Sequence, residues 1–282
     1  MQTQKYPDYE ILVIDSSPDD RTEKIVFKQF PGVRYQHSQQ RLLPHAARNL
    51  GVKMARGDLF VFTDPDIYAP PDWLAKLVEA YSRYGGVISG ALACYGRKRV
   101  DQGIHICKFD PWLPGGNIRK VLIAASANML CERATFESVG GFNENCMIGD
   151  TLLSWELTRA GIPIWLAPEA VVEHHHTGTW KGLLQERYLR GREFGQMRLK
   201  HEGWGRRRVL LQAIASIFPI RLTKLVLRGA ANALRAGCLS DFLNMSPIVI
   251  SGQAAWLAGE AEAYLRKLKG STDSDANPYA HI

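Results

Sequence analysis

The sequence predicts an α/β fold: a mostly parallel mixed sheet flanked by helices, with a helical appendage towards the C-terminal end. Three observations predict it. Short β-rich runs alternate with helical patterns through the first hundred or so residues. Two of those runs end in a carboxylate, Asp15 and Asp64. After Gly178 both the charge and the apolar pattern change.

The run "YEILVID" reads as a strand ending at Asp15. Turn residues follow, then a helical pattern through Ile25, Val26 and Phe30, and "VRYQHS" is a second strand candidate. "LPHAARNLGVKMARG" predicts a helix with Ala46, Ala47, Leu50 and Met54 on one line and Gly57 as its stop. "DLFVFTD" is the next strand, and "PPDWLAKLVEAYSRYG" a helix with prolines at its start and glycine at its end. "GVISGALACYG" is strand-like. The segment "GRKRVDQGIHICKFDPWLPGGN" reads as loop. Beyond it come a strand, a short helix and a Gly-Gly turn within "IRKVLIAASANMLCERATFESVGGFNEN". "GDTLLSWELTRAG" predicts a helix with Leu153, Leu157 and Ala160 buried, and "IPIWLAPEAVVEHHH" resumes strand character. In such folds ligands gather at the carboxyl ends of strands, where Asp15 and Asp64 stand.

The chain has 282 residues and is 46% hydrophobic, enough for one large domain or a domain with an appendage. Its net charge is +7, unevenly placed. Between Gly178 and Arg235 stand 13 Lys and Arg against Glu186, Glu193 and Glu202, a local +10 that leaves the rest at −3. There "RRRVLLQAIASIF" runs into Pro219, and "IRLTKLVLRGAANALR" sets Arg221, Lys224, Arg228 and Arg235 along one helical face, with Leu222, Leu225 and Val226 opposite. A basic amphipathic helix suits a membrane surface, although two helices packing on a domain give the same pattern. The stretch Phe242 to Leu265 is a further apolar, small-residue segment, and "GSTDSDANPYAHI" reads as a disordered tail. The expected domains are therefore residues 1–178, 179–268 and 269–282.

Five scattered cysteines, with no Cys-x-x-Cys, predict reduced thiols in the cytoplasm and neither a disulfide framework nor a zinc site. No apolar run reaches the ~18 residues of a spanning helix, and the N-terminus shows no signal-peptide core. Basic residues interleaved with leucines on helices argue against nucleic acid. No Gly-x-Gly-x-x-Gly follows the first strand, which argues against a dinucleotide-dependent oxidoreductase.

Asp64 and Asp66 bracket Pro65 at the end of a strand. One aspartate there is ordinary turn chemistry. Two can share a hard divalent cation whose shell substrate phosphates complete. "HAARNLGVKMARGDLFVFTDPD" resembles the core of glycosyltransferase family 2, which has the GT-A fold. "PDYEILVIDSSPDDRT", "SANMLCERATFESVGGFNE" and "GDTLLSWELTRAGIPIWLAPEAVVEH" are similar to further blocks of that family, in its order, between Tyr6 and His176.

The resemblance implies transfer of a sugar from a UDP- or GDP-sugar, with inversion, and a divalent metal, Mn2+ or Mg2+. It implies Asp66 and Asp64 as metal ligands, with Asp64 also reaching the ribose, and His174 as a further metal or diphosphate contact. Asp15 and Arg48 fall in the nucleotide site, and Asn128 and Arg190 meet the diphosphate or acceptor; Trp180 and Arg187 are weaker candidates for closing over them. Asp150 is the implied catalytic base, although an aspartate opening a helix also serves as an N-cap. The three histidines from His174 to His176 cannot all serve one metal, because neighbours on a strand point to opposite faces.

The pattern departs from the family at Gly149, where a Glu is usual, and at Glu156, where an Arg is common. The chain also opens inside the family's first helix, which predicts a missing first strand and either a longer parent chain or a truncated remnant. The expected acceptor is lipid-linked or saccharide, in surface polysaccharide or glycolipid assembly, with the protein peripheral at the inner face of the membrane. The competing expectation is a truncated, non-catalytic partner subunit at that surface.

Overall fold

The computed structural model describes residues 4–96 and 98–270. The expected tail lies outside these residues, save for its first two positions. The chain divides into two compact units: Met1–Ala91 with Asn117–Val172, and Leu92–Gly116 with Glu173–Ile282. Leu92–Gly116 therefore clusters with the C-terminal helices.

In the first unit, β1 (Leu12–Asp15) is followed by α1 (Arg21–Gln29), β2 (Arg34–His37), α2 (Pro44–Met54) and β3 (Leu59–Thr63). Next come β4 (Ile67–Tyr68), α3 (Trp73–Tyr84) and β5 (Val87–Tyr95), whose last residues enter the second unit. After the second unit's α4 (Arg99–Phe109) the chain returns through β6 (Arg119–Lys120), β7 (Asn128–Glu132), α5 (Arg133–Ser138), α6 (Gly149–Arg159) and β8 (Ile164–His175), whose last residues again enter the second unit.

The architecture is mixed α/β, with a central sheet flanked by helices. β1 and β2 pair in parallel as a sheet of their own, in the register Asp15 to His37. The larger sheet has the order β3-β7-β5-β8-β4, with β6 beside β8. β7 runs antiparallel to both β3 and β5, and β6 antiparallel to β8. Antiparallel pairing is thus more extensive than simple strand–helix alternation suggests. The long segment between β5 and β7 lets the chain re-enter the sheet reversed. One apolar core unites Phe60 and Phe62 of β3, Met129 and Cys131 of β7, Phe136, Phe142, and Leu153 and Leu157 of α6.

Two helix faces differ from expectation. On α2 the buried side chains are His45 and Val52, while Ala46, Ala47, Leu50 and Met54 are half-buried. On α6 Leu153 and Leu157 are buried, but Ala160 is exposed at the C-cap.

The second unit is helical. The stretch read as loop forms α4, because Gly103, Ile104, His105, Ile106 and Cys107 are all buried. A helix buried on every side shows no amphipathic period to detect. Five more helices follow: α7 (Trp180–Glu202), α8 (Arg206–Ile217), α9 (Pro219–Arg235), α10 (Leu239–Asn244) and α11 (Ser246–Leu268). α7 and α11 lie against one another where glycines remove the side chain. A Cβ on Gly191 would stand 2.1 Å from the Trp256 carbonyl oxygen, and one on Gly259 2.0 Å from that of Tyr188.

Among the described residues no single helix is long and apolar enough to cross a membrane; α8 and α9 together pass that test but are bent by 63° at Phe218. On α9 Lys224, Arg228 and Arg235 of the expected basic face are exposed and Leu222, Leu225 and Val226 half-buried, but two of its arginines also bind buried carboxylates. Arg221 turns to the buried Glu260 (2.8 Å) and Arg228 to the buried Asp110 (2.8 Å). Burial of Gly229 and Ala233 rotates Ile220, Leu227 and Leu234 outward, beside Lys224 and Arg235.

Candidate active site

The Asp-x-Asp segment leaves β3 and turns into β4. Asp64 is half-buried and Asp66 exposed. Each offers a carboxylate oxygen within 4.8 Å of the other's. Arg48, on α2, donates from Nη2 to Asp64 Oδ1. The first unit thus joins two of the expected site residues, Arg48 and Asp64, directly by a hydrogen bond. Arg48 is therefore not a solvated surface arginine: its side chain is only 12% exposed. Its Nε and the Thr63 hydroxyl are buried without a hydrogen-bond partner. An unmet buried donor costs about 1–3 kcal/mol unless water or a ligand meets it. Two hard carboxylates beside a cationic side chain with an unmet donor suit a divalent cation and a phosphate-bearing ligand.

Asp15, at the end of β1, is 9% exposed and already well supplied with donors. The Ser17 amide and hydroxyl donate to it at 2.8 and 2.9 Å, and the Tyr35 hydroxyl at 2.8 Å. Burial opposes its ionisation, yet these hydrogen bonds hold the carboxyl below its usual range. Burial and the Asp15 charge together push the Tyr35 phenol up to about 12.

Asp150 is not an N-cap. α6 is capped by Ile148 and starts at Gly149, so Asp150 is an acidic residue in the first turn. Its Oδ1 accepts the Thr151 amide at 2.8 Å. Gly149 explains its own departure from the family pattern: a Cβ there would lie 2.6 Å from the His45 ring and 3.1 Å from the Asn143 carbonyl oxygen. His45 gave no signal in the sequence. Glu156 is on the solvent side of α6 and pairs with Arg159 at 3.0 Å.

Asn128 is corrected by its surroundings. It is 0% exposed, its amide hydrogens go to the Ala91 and Ala170 carbonyls at 2.9 Å each, and its Oδ1 accepts from Trp73 Nε1 at 2.9 Å. It ties β7 to β5, β8 and α3, and presents no group to a diphosphate or acceptor.

His174 and Arg190 belong to the second unit. His174 is buried, stacks on His176 with ring centres 4.5 Å apart, and packs against Phe109. Arg190 pairs with Glu186 at 3.1 Å, and Glu186 also holds Lys108 at 2.9 Å. Arg187 covers the Trp256 ring at 4.3 Å and bonds Gln253, and Trp180 donates to Ser251. All five cysteines are free thiols.

A mixed α/β unit with carboxylates at strand ends is the organisation of the GT-A class, and comparison with known proteins agrees. The family model "Glycosyl transferase family 2" matches residues 1–129, so the resemblance read from the sequence is borne out over that region. The pre-mycofactocin glycosyltransferase of Mycobacterium tuberculosis is 24% identical over 169 residues, covering 56% of this chain and 35% of the relative. Glycosyltransferase AglE of Haloferax volcanii is 25% identical over 202 residues, 67% of this chain and 64% of the relative. The dolichol-phosphate mannosyltransferase of Pyrococcus furiosus is 33% identical over 93 residues, 32% of this chain and 26% of the relative. The chain thus spans less than two thirds of each of these relatives. Among solved structures, the mannosyltransferase PcManGT of Pyrobaculum calidifontis, in complex with GDP-Man and Mn2+, matches 96% of this chain and 69% of its own. Its TM-score is 0.51 at 18% identity, a likeness of fold.

Proposed function

We propose that this chain transfers a hexose from a UDP- or GDP-sugar to a hydroxyl of a lipid-linked or saccharide acceptor, with inversion and with a divalent metal. The observation that carries this reading is the Asp64–Asp66 carboxylate pair beside Arg48, whose buried Nε still lacks an acceptor. The names of the relatives, which include a dolichol-phosphate mannosyltransferase, and the GDP-Man and Mn2+ held by PcManGT support it.

Each residue then has a task. Asp64 and Asp66 hold Mn2+ or Mg2+, which when bound offsets the charge gathering on the departing diphosphate. Arg48 orients Asp64 and supplies the diphosphate or ribose with the donor that is now unmet. Asp15 keeps about one of the four or so lone-pair sites of a carboxylate for the nucleobase, the others being taken by Ser17 and Tyr35. Asp150 takes the proton of the attacking hydroxyl as the oxygen closes on the anomeric carbon opposite the diphosphate.

Peripheral attachment to the cytoplasmic face of a membrane belongs to the same reading. Its support is the outward apolar side of α8 and α9, flanked by exposed Arg206, Arg207 and Arg208. Assembly of surface polysaccharide or glycolipid is the setting that fits.

The test is nucleoside-diphosphate release from a panel of UDP- and GDP-sugars with Mn2+, together with titration calorimetry of the diphosphates. Asp66→Ala and Asp150→Ala should each abolish turnover, by ~100-fold or more for the base, with unchanged circular dichroism. Full turnover in either variant removes that residue from its task. Failure of wild-type protein to bind any nucleoside diphosphate with metal favours the non-catalytic partner instead.

A further inference from the structure

The second unit contains a group of side chains that the proposed reaction does not use. Cys94 is the next-to-last residue of β5, His105 sits in the middle of α4, and His176 follows β8. Each brings one ligand atom within 4.8 Å of the other two. His105 and His176 are buried and Cys94 is half-buried.

The tautomers can be worked out from the partners. His105 Nε2 lies 3.0 Å from the Leu92 carbonyl oxygen, which only accepts. The Nε2 proton is therefore fixed there, and the Nδ1 lone pair points the other way. It meets His176 Nε2 at 3.0 Å. Two imidazole nitrogens face each other with a thiol alongside. The ring-to-carbonyl bond on the far side is the arrangement that orients a metal-bound histidine.

We propose that Cys94, His105 and His176 form a binding site for a borderline-soft divalent metal of the zinc class. Thiolate and imidazole donors select zinc over the hard, oxygen-loving cations suited to Asp64 and Asp66. Tetrahedral zinc with bonds of ~2.0–2.1 Å to nitrogen sets two such donors about 3.3 Å apart, a few tenths from the 3.0 Å found. Three protein ligands leave a fourth position for water or an outside ligand. A bound ion would fasten the end of β5, α4 and the end of β8 to one another. His174 is not part of the set; its Nδ1 lies 3.3 Å from the His175 carbonyl oxygen. Burial pushes the Cys94 thiol up to about 11, so the metal must displace its proton, and uptake is accompanied by proton release.

The experiment is a Co2+ titration of the metal-free full chain, followed by displacement with Zn2+. Wild-type protein should develop a thiolate-to-cobalt charge-transfer band that Zn2+ abolishes. Cys94→Ser should lose that band while keeping its circular dichroism. The Asp64→Asn/Asp66→Asn protein should keep it, which separates this site from the proposed reaction. X-ray absorption of the zinc-loaded wild-type chain reads the same claim without any variant, as one sulfur and two imidazoles around the ion. A shell of oxygen and nitrogen alone, or a charge-transfer band undiminished in Cys94→Ser, overturns the proposal and leaves a plain histidine–histidine hydrogen bond.

Discussion

The backbone of Gly149 lies against the imidazole of His45 so closely that a Cβ at 149 would stand 2.6 Å from ring Cγ and Cδ2. Real side chains do not approach so near, and His45 is hemmed in by Phe142, with ring centres 4.9 Å apart. The start of α6, and with it Asp150, is positioned by this contact. Gly149→Ala should therefore destabilise the protein by ~1–3 kcal/mol, as overpacking does. Truncation at His45→Ala should recover part of that loss in a double-mutant cycle. Denaturant unfolding of the four proteins measures it. Strictly additive effects would show that the contact does not constrain residue 149.

Asp15 predicts a pH dependence of stability. Its folded pKa is held below the ordinary value of 3.8 by hydrogen bonds from Ser17 and Tyr35 that outweigh burial. The unfolded chain thus takes up a proton before the folded one does. The stabilisation is complete above about pH 4 and is lost as pH falls through the depressed folded value. Tyr35→Phe removes one donor to a charged acceptor and should cost ~1.5–3 kcal/mol at neutral pH. That cost should shrink below the unfolded pKa, where the carboxyl is protonated in both states. Urea titrations between neutral and acidic pH follow the difference; a gap that stays constant with pH would assign it to lost packing of the Tyr35 ring.

These two cases also show what the sequence could and could not reveal. β1 and β3 were legible because an apolar run ending in a carboxylate is a local signal. So was the closeness of the Asp64 and Asp66 carboxylates, which depends on a spacing of two. Departure from the family pattern marked Gly149 as unusual, but its cause is a ring from α2, about a hundred positions earlier. α4 was invisible for a different reason: burial on all sides erases the periodicity that betrays a helix. The Cys94, His105 and His176 group has no short ligand spacing, the two histidines being 71 positions apart. On α9 the helical wheel was right that Lys224, Arg228 and Arg235 stand exposed while Leu222, Leu225 and Val226 are half-buried. The spacing of basic and apolar residues along one helix cannot tell that Arg221 and Arg228 have buried carboxylates to reach.

The outward side of α8 and α9 predicts attachment to anionic lipid. Leu211, Ile217, Phe218, Ile220 and Leu227 are all more than half exposed, at 65%, 68%, 55%, 59% and 63%. Exposed apolar side chains gathered at a bent helix pair are costly in water, at ~25 cal/mol per Å². Exposed arginines and Lys224 beside them each contribute ~1 kcal/mol at an anionic surface. Sedimentation with phosphatidylglycerol vesicles should retain the protein, and phosphatidylcholine vesicles should retain much less. Ile217→Ser/Phe218→Ser should weaken retention at least tenfold, and raised salt should weaken it further. Equal partition with both lipids, unaffected by either change, would remove the membrane from the account.

Asp110 and Arg228 form an ion pair whose two members stand in different surroundings. Asp110 is 2% exposed, whereas the Arg228 side chain is 47% exposed. Arg228 donates from Nε and Nη2 at 3.0 and 2.8 Å, and Asn232 adds a third bond at 2.9 Å. Removing either member breaks the same contacts, yet the consequences should differ. Arg228→Met leaves a buried carboxylate with Asn232 alone, which should cost about 3 kcal/mol. Asp110→Asn leaves an arginine that can swing into water, and an amide that still accepts from one partner. That change should cost about 1 kcal/mol. Guanidinium unfolding of both variants gives the comparison. Equal losses would mean that Asp110 is better hydrated than its burial implies, and that the pair anchors α9 by packing and not by charge.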